Sequence, residues 1–176
     1  MADFKEELKK VKAFVFDVDG VLSKDVLTVG RTGVLNRTAN VKDGFVLRHA
    51  IKMGYPVAII TGGVSNRLKL RYKQLGVKHY YQGVRDKVKS LNDFLEKNDI
   101  KAENVLFMGD DLVDFRIMKE VGIPTCPADA VSDIIAISDY VSDKNGGEGC
   151  VRDVIEQTLR EHGKWFTEEM LKSRAF

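Results

Sequence analysis

Two carboxylates spaced two apart, Asp17 and Asp19, follow the apolar run Ala13-Phe14-Val15-Phe16 and lead into Gly20-Val21. A run of that kind is a buried strand, and acids at its tip are costly to desolvate and repel one another unless a cation lies between them. A divalent metal is the first inference. Other polar groups stand where further apolar runs end: Thr61-Gly62-Gly63 after Val57-Ala58-Ile59-Ile60, then Lys87, then Gly109-Asp110-Asp111 with Asp114 after Val105-Leu106-Phe107-Met108. Each has an ordinary role when taken alone. Asp17 and Asp19 can end a strand and cap a turn, Thr61 can start a helix, Lys87 can lie on a solvated face, and the later acids suit a helix N-terminus. Together they supply a carboxylate nucleophile, a second acid, a hydroxyl donor, a lysine and a further acid pair. That is the set that phosphoryl transfer through an aspartyl-phosphate requires.

Something must bring these groups to one place. Short apolar runs predict strands at Ala13–Phe16, Val57–Ile60, His79–Tyr81, Val105–Met108, Ile123–Cys126 and, weakly, Tyr140–Val141. Between them, apolar residues at helical spacing predict helices over 44–53, 65–75, 86–97, 111–121 and 149–162. Alternation of this kind makes a mostly parallel sheet with helices on both faces, a three-layer Rossmann-like α/β fold, and its ligands sit outside the strands' carboxyl ends. The stretch 26–38 breaks the alternation. Its two β-prone arms flank Gly30-Arg31-Thr32-Gly33, so it reads as a hairpin inserted beside the first acid pair, and it must lean on its own domain or on another subunit.

At 176 residues, 44% of them hydrophobic, the chain is expected to form one domain over 1–176. Lysine and arginine number 28 against 26 acids, a balance too even to mark a nucleic-acid binder. Cys126 and Cys150 lack metal or disulfide spacing and read as buried thiols. Residues 1–12 are charged and helical in pattern, and no apolar stretch is long enough to span a bilayer, so a soluble cytoplasmic protein is expected and no membrane partner. The tail 163–176 carries the only tryptophan, Trp165, and two phenylalanines; it either closes its own core or docks on a neighbour.

In motif order the chain resembles the haloacid dehalogenase superfamily of phosphatases over 12–160, through Asp17-Val18-Asp19-Gly20, Thr61-Gly62, Lys87 and Gly109-Asp110-Asp111 with Asp114. The spacing leaves no room for a large cap domain. Asn40-Val41-Lys42-Asp43-Gly44, Gly83-Val84-Arg85-Asp86-Lys87 and Gly146-Gly147-Glu148-Gly149-Cys150-Val151-Arg152 are similar to the capless 3-deoxy-D-manno-octulosonate 8-phosphate (KDO 8-phosphate) phosphatases. The resemblance implies a Mg2+-dependent hydrolase of that sugar phosphate in lipopolysaccharide precursor synthesis. Asp17 would attack phosphorus, and Asp19 would protonate the leaving alkoxide and then deprotonate water. Mg2+ would bind the side chains of Asp17 and Asp110 and the backbone carbonyl of Asp19, with Asp111 and Asp114 behind them. Thr61 and the Gly62 amide would hold the phosphoryl group while Lys87 neutralises charge. For the sugar carboxylate Arg71, Arg67, Lys42 and Arg85 are candidates, Arg71 ranking above Arg67. The family implies a homotetramer in which hairpins pack together and a neighbour completes each site.

Gly63 departs from the pattern, since many relatives carry an arginine or an acid after Thr-Gly. Phosphatases of nine-carbon keto-acid 9-phosphates of the sialic type share the same motifs, as do broader sugar-phosphate phosphatases and phosphomutases. A phospho-receiver or binding module also uses acids, a threonine and a lysine, but it places its phospho-acceptor in mid-chain and its lysine last. Here the lysine precedes the second acid group, which argues against that reading.

Overall fold

The structure, a computed structural model, describes residues 4–31 and 33–167. Helix α1 (Phe4–Leu8) precedes the first strand, β1 (Ala13–Phe16), and the ribbon strands β2 (Thr28–Val29) and β3 (Leu35–Asn36) pair antiparallel. The chain then alternates: α2 (Val41–Lys52), β4 (Val57–Ile60), α3 (Asn66–Gln74), β5 (His79–Tyr81), α4 (Lys87–Asn98), β6 (Val105–Met108), α5 (Phe115–Glu120), β7 (Ile123–Cys126), α6 (Ser132–Ile135), β8 (Tyr140–Val141) and α7 (Cys150–Glu161). The six longer-range strands pair in parallel in the order β5-β4-β1-β6-β7-β8, which is the expected three-layer α/β architecture.

Strand periodicity explains why the central strands read as unbroken apolar runs. Phe14 and Phe16 join Ile59, Leu106 and Met108 on one face, packed against Val46 and Leu47 of α2 and Val154, Ile155 and Leu159 of α7. Ala13 and Val15 join Ala58, Ile60 and Phe107 on the other, under Leu91 and Phe94 of α4 and Ile117 and Met118 of α5. Both faces are covered, so neither set of alternating positions can be polar.

Local capping shifts two boundaries. Helix α2 starts at Val41 rather than 44 because Asn40 Oδ1 accepts from the amides of Lys42 and Asp43 at 2.8 and 3.4 Å. The helix expected over 111–121 is divided. Asp111 Oδ1 accepts from the Leu112 amide at 2.7 Å and tightens Leu112–Asp114 into a 3-10 turn before α5 begins. Four-residue α6 is too short to show a period.

The ribbon's base is tied to its own domain. Ser23 Oγ accepts from the Thr38 amide at 3.0 Å, and Thr38 Oγ1 accepts from the Lys24 amide at 3.1 Å. Its apolar side chains, Val26, Val29, Val34 and Leu35, are exposed. Trp165 packs against the core of its own chain, beneath the guanidinium groups of Arg152 and Arg160. The rest of the expected tail, 168–176, lies outside the described residues, as does Thr32 of the ribbon turn.

Candidate active site

Neighbouring strands β4, β1 and β6 end side by side, and each ends in the polar group that the sequence places there: Thr61, Asp17 and Asp110. Strand β1 is where the sheet order reverses, with β4 and β5 on one side and β6 to β8 on the other, so the crevice opens at its tip. Asp17, Asp19, Thr61, Gly62, Lys87, Asp110 and Asp111 all line one cleft of about 320 Å³, a volume suited to a small ligand. A wider groove of about 640 Å³ lies at the strands' amino ends beside Lys12 and Asn104, and the acids do not converge there.

Charge is concentrated at the cleft floor. Lys87 Nζ lies 2.9 Å from Asp17 Oδ2 and 2.6 Å from Asp114 Oδ1, with all three groups buried. Burial and the nearby Asp114 push Asp17 up to about 7 despite Lys87. Burial, with Asp17 and Asp114, pushes Asp110 up to about 8. Burial pulls Lys87 down, but Asp17 and Asp114 outweigh it and hold the ammonium above its ordinary value. One lysine therefore faces more negative charge than it can balance. Asp17, Asp110 and Asp114 each offer an oxygen within 4.8 Å of the others, and buried Asp17 Oδ1 has no hydrogen-bond partner among the described residues. An oxygen-rich, over-acidic cluster with an unsatisfied buried acceptor fits a divalent cation.

Gly20 makes this packing possible. Its φ is +76°, and a Cβ there would stand 1.9 Å from Asp110 Oδ2, so any side chain would push Asp110 out of the cluster.

Asp19 faces elsewhere. Its carboxylate is outside the acid cluster and is gripped by Arg37, which donates Nε to Oδ1 at 2.6 Å and Nη2 to Oδ2 at 2.8 Å. Thr61 Oγ1 accepts from the Gly63 amide at 3.1 Å. Asp114, expected behind the site, contacts Lys87 directly, and its Oδ2 accepts from the Asp110 amide at 3.3 Å.

Of the cations named for a sugar carboxylate, Arg85 alone lines the cleft. Arg71 lines a separate groove between α2 and α3 with Phe45 and Arg48, because Leu68, Tyr72 and Leu75 take the buried side of α3 and leave position 71 toward α2. Arg67 and Lys42 are exposed near the starts of α3 and α2 and do not line the cleft of their own chain.

Asp43, named only as part of a motif, is a buried acid whose Oδ1 accepts from the Arg152 amide at 2.8 Å, so it caps α7 from a distance. Oδ2 has no partner among the described residues, and burial pushes the carboxyl up to about 6. An acid raised above its unfolded value of 3.8 costs nothing below about pH 4 and its full penalty above about pH 6. The stability difference between Asp43→Asn and wild type is therefore expected to move in favour of Asn by about 3 kcal/mol between pH 4 and 7. Urea unfolding across that range checks it, and parallel profiles would refute it.

Known proteins agree with the geometry. Residues 82–155 match the model of the haloacid dehalogenase-like hydrolases. The chain is 39% identical over 163 residues to the 3-deoxy-D-manno-octulosonate 8-phosphate phosphatase KdsC of Escherichia coli, covering 93% of this chain and 87% of that one. The crystal structure of the phosphatase of that name from Yersinia pestis superposes with a TM-score of 0.90 at 34% identity, over 93% of this chain and 89% of the other. A Moraxella catarrhalis enzyme of the same name, solved with a magnesium ion, a phosphate ion and a KDO molecule, gives 0.90 at 31% identity over 98% of each chain. Similarity of that extent, on motifs that meet in one cleft, makes the chain a member of the haloacid dehalogenase-like hydrolases, in the KDO 8-phosphate phosphatase family, with phosphate-ester hydrolysis as its chemistry.

Proposed function

We propose that this enzyme hydrolyses KDO 8-phosphate to KDO and phosphate through an aspartyl-phosphate on Asp17, a cytoplasmic step toward lipopolysaccharide. The observation that carries the reading is Asp17 itself: buried at the cleft floor, held by Lys87 through Oδ2, and left with Oδ1 unpartnered among the described residues. An Asp17 oxygen bonds to phosphorus as the ester P–O bond breaks, and Asp19 gives its proton to the departing sugar oxygen. Asp19 then takes a proton from the water that attacks phosphorus, which frees Asp17 and phosphate. Thr61 and the Gly62 amide hold the phosphoryl oxygens, and Lys87 offsets their charge. Asp17, Asp110 and the Asp19 carbonyl would hold Mg2+, which would supply charge neutralisation for phosphate and for the crowded carboxylates.

The magnesium, phosphate and KDO of the Moraxella catarrhalis complex support this substrate and cofactor. We further propose a homotetramer seated on the ribbon, where the exposed apolar residues Val26, Val29, Val34 and Leu35 fall together on one short segment. No helix among the described residues is long and apolar enough to cross a membrane.

Phosphate release with Mg2+ from KDO 8-phosphate, a nine-carbon keto-acid 9-phosphate and hexose phosphates tests the reading. The expected result is the highest kcat/KM on the eight-carbon ester, loss with EDTA and recovery on adding Mg2+. Preference for the nine-carbon ester would move the enzyme to sialic-type synthesis, and EDTA-resistant turnover would overturn the metal.

A further inference from the structure

The grip on Asp19 goes beyond charge pairing. Two parallel bonds from one guanidinium fix the plane of the carboxylate, which a lysine cannot do. The arginine side chain is 7% exposed and the aspartate side chain 34%, so the pair turns its carboxylate to the cleft and its guanidinium inward. Residue 63 leaves the room. A Cβ on Gly63 would stand 2.5 Å from Arg37 Nη2 and 3.0 Å from Asp19 Oδ2, although the backbone there has no positive φ that would itself demand glycine. Glycine at 63 is explained by the clamp rather than by the turn. Nor does the ribbon need Arg37 as an anchor, because the bonds between Ser23, Lys24 and Thr38 already hold its base.

We infer that Arg37 is a positioning residue for the reaction, holding the Asp19 carboxylate toward the leaving oxygen, and that Gly63 is the space this clamp requires. The inference rests on the roles proposed above for Asp17 and Asp19. As the bond from Asp17 to phosphorus forms, the electron pair of the breaking ester bond stays on the sugar oxygen, which takes the proton from Asp19. Proton transfer demands a donor within hydrogen-bond reach and correctly aimed. A p-nitrophenyl ester makes no such demand, since p-nitrophenolate leaves without a proton.

The test is kcat/KM on KDO 8-phosphate and on p-nitrophenyl phosphate for wild type, Arg37→Met, Arg37→Lys, Gly63→Ala and the Arg37→Met/Gly63→Ala double variant. Arg37→Met is expected to lose roughly 10²-fold on the sugar ester, the size of a general-acid effect, and little on the aryl ester. Arg37→Lys, with one contact in place of two, falls between. Gly63→Ala keeps both charged groups and displaces only their geometry, so it should follow the selective loss of Arg37→Met, and the double variant should be no worse than either single one. Equal losses on both esters, or additive losses in the double variant, would overturn the clamp alone. An Asp19→Asn enzyme as fast as wild type on the sugar ester would instead overturn the roles beneath it.

Discussion

Asp17→Asn is expected to lower kcat for phosphate release by roughly 10⁴-fold or more, with the fold intact. The two side chains are nearly equal in volume, but an amide oxygen does not attack phosphorus, and no described neighbour stands in for it. Asp19 is clamped by Arg37, and Asp114 is fully buried behind Lys87. Stability should not fall and should rise near neutral pH, because Lys87 keeps Asp114 at 2.6 Å while the buried, repelled carboxylate at 17 becomes neutral. Melting temperature and phosphate release measured together separate the outcomes. Turnover near the wild-type rate in a folded variant would end the aspartyl-phosphate mechanism, whereas loss of turnover with loss of fold would show that Asp17 is needed for packing first.

The candidate site residues were legible because they sit where strands stop. An apolar run fixes a strand, the polar residue after it falls at the carboxyl edge, and β4, β1 and β6 prove to be neighbours, so Thr61, Asp17 and Asp110 had to meet. Lys87 was legible through motif order, although only the structure shows it dividing its contacts between Asp17 and Asp114. Arg37 carried no such signal. It lies just past a two-residue strand in an irregular insertion, where neither period applies, and its contact to Asp19 crosses 18 positions of sequence. Its trace was an absence, the missing side chain at Gly63, and an absence names no partner.

Helix phase accounts for Arg71 standing outside the cleft of its own chain. Arginine chemistry favours Arg71 for a carboxylate, but chemistry does not say which way a helix is rotated. Leu68, Tyr72 and Leu75 take the buried side of α3, and position 71 is carried to the α2 groove. Strand bounds fared better because burial on both faces leaves a strand no polar position until it ends. Helix starts depended on single caps such as Asn40 and Asp111, whose side chains decide a boundary that periodicity leaves open.

Lys87→Met should damage both the fold and the chemistry, and pH separates the two. The ammonium is 7% exposed and is the one basic group in contact with the acid cluster among the described residues. Removing it leaves Asp17, Asp110 and Asp114 crowded within 4.8 Å, and breaking a buried pair of this kind costs about 3 to 5 kcal/mol. The sign with pH follows from the acids. Their folded values already stand above the unfolded 3.8 and rise further without Lys87, so both proteins lose stability in parallel up to about pH 7, and the added cost grows as pH climbs past the folded values of about 7 for Asp17 and about 8 for Asp110. The stability gap to wild type should therefore stay nearly level from pH 4 to about 7 and widen from there to pH 9 in urea unfolding. A gap of constant size would mean that Lys87 contributes packing rather than charge. Turnover should fall by roughly 10²- to 10³-fold, the usual loss for one group that stabilises charge in the transition state. Excess Mg2+ should not restore it, because a cation bound among the carboxylates cannot also occupy the Lys87 side of Asp17. Full rescue by Mg2+ would assign Lys87 to metal assembly alone and leave the transferring phosphoryl group to Thr61 and the Gly62 amide.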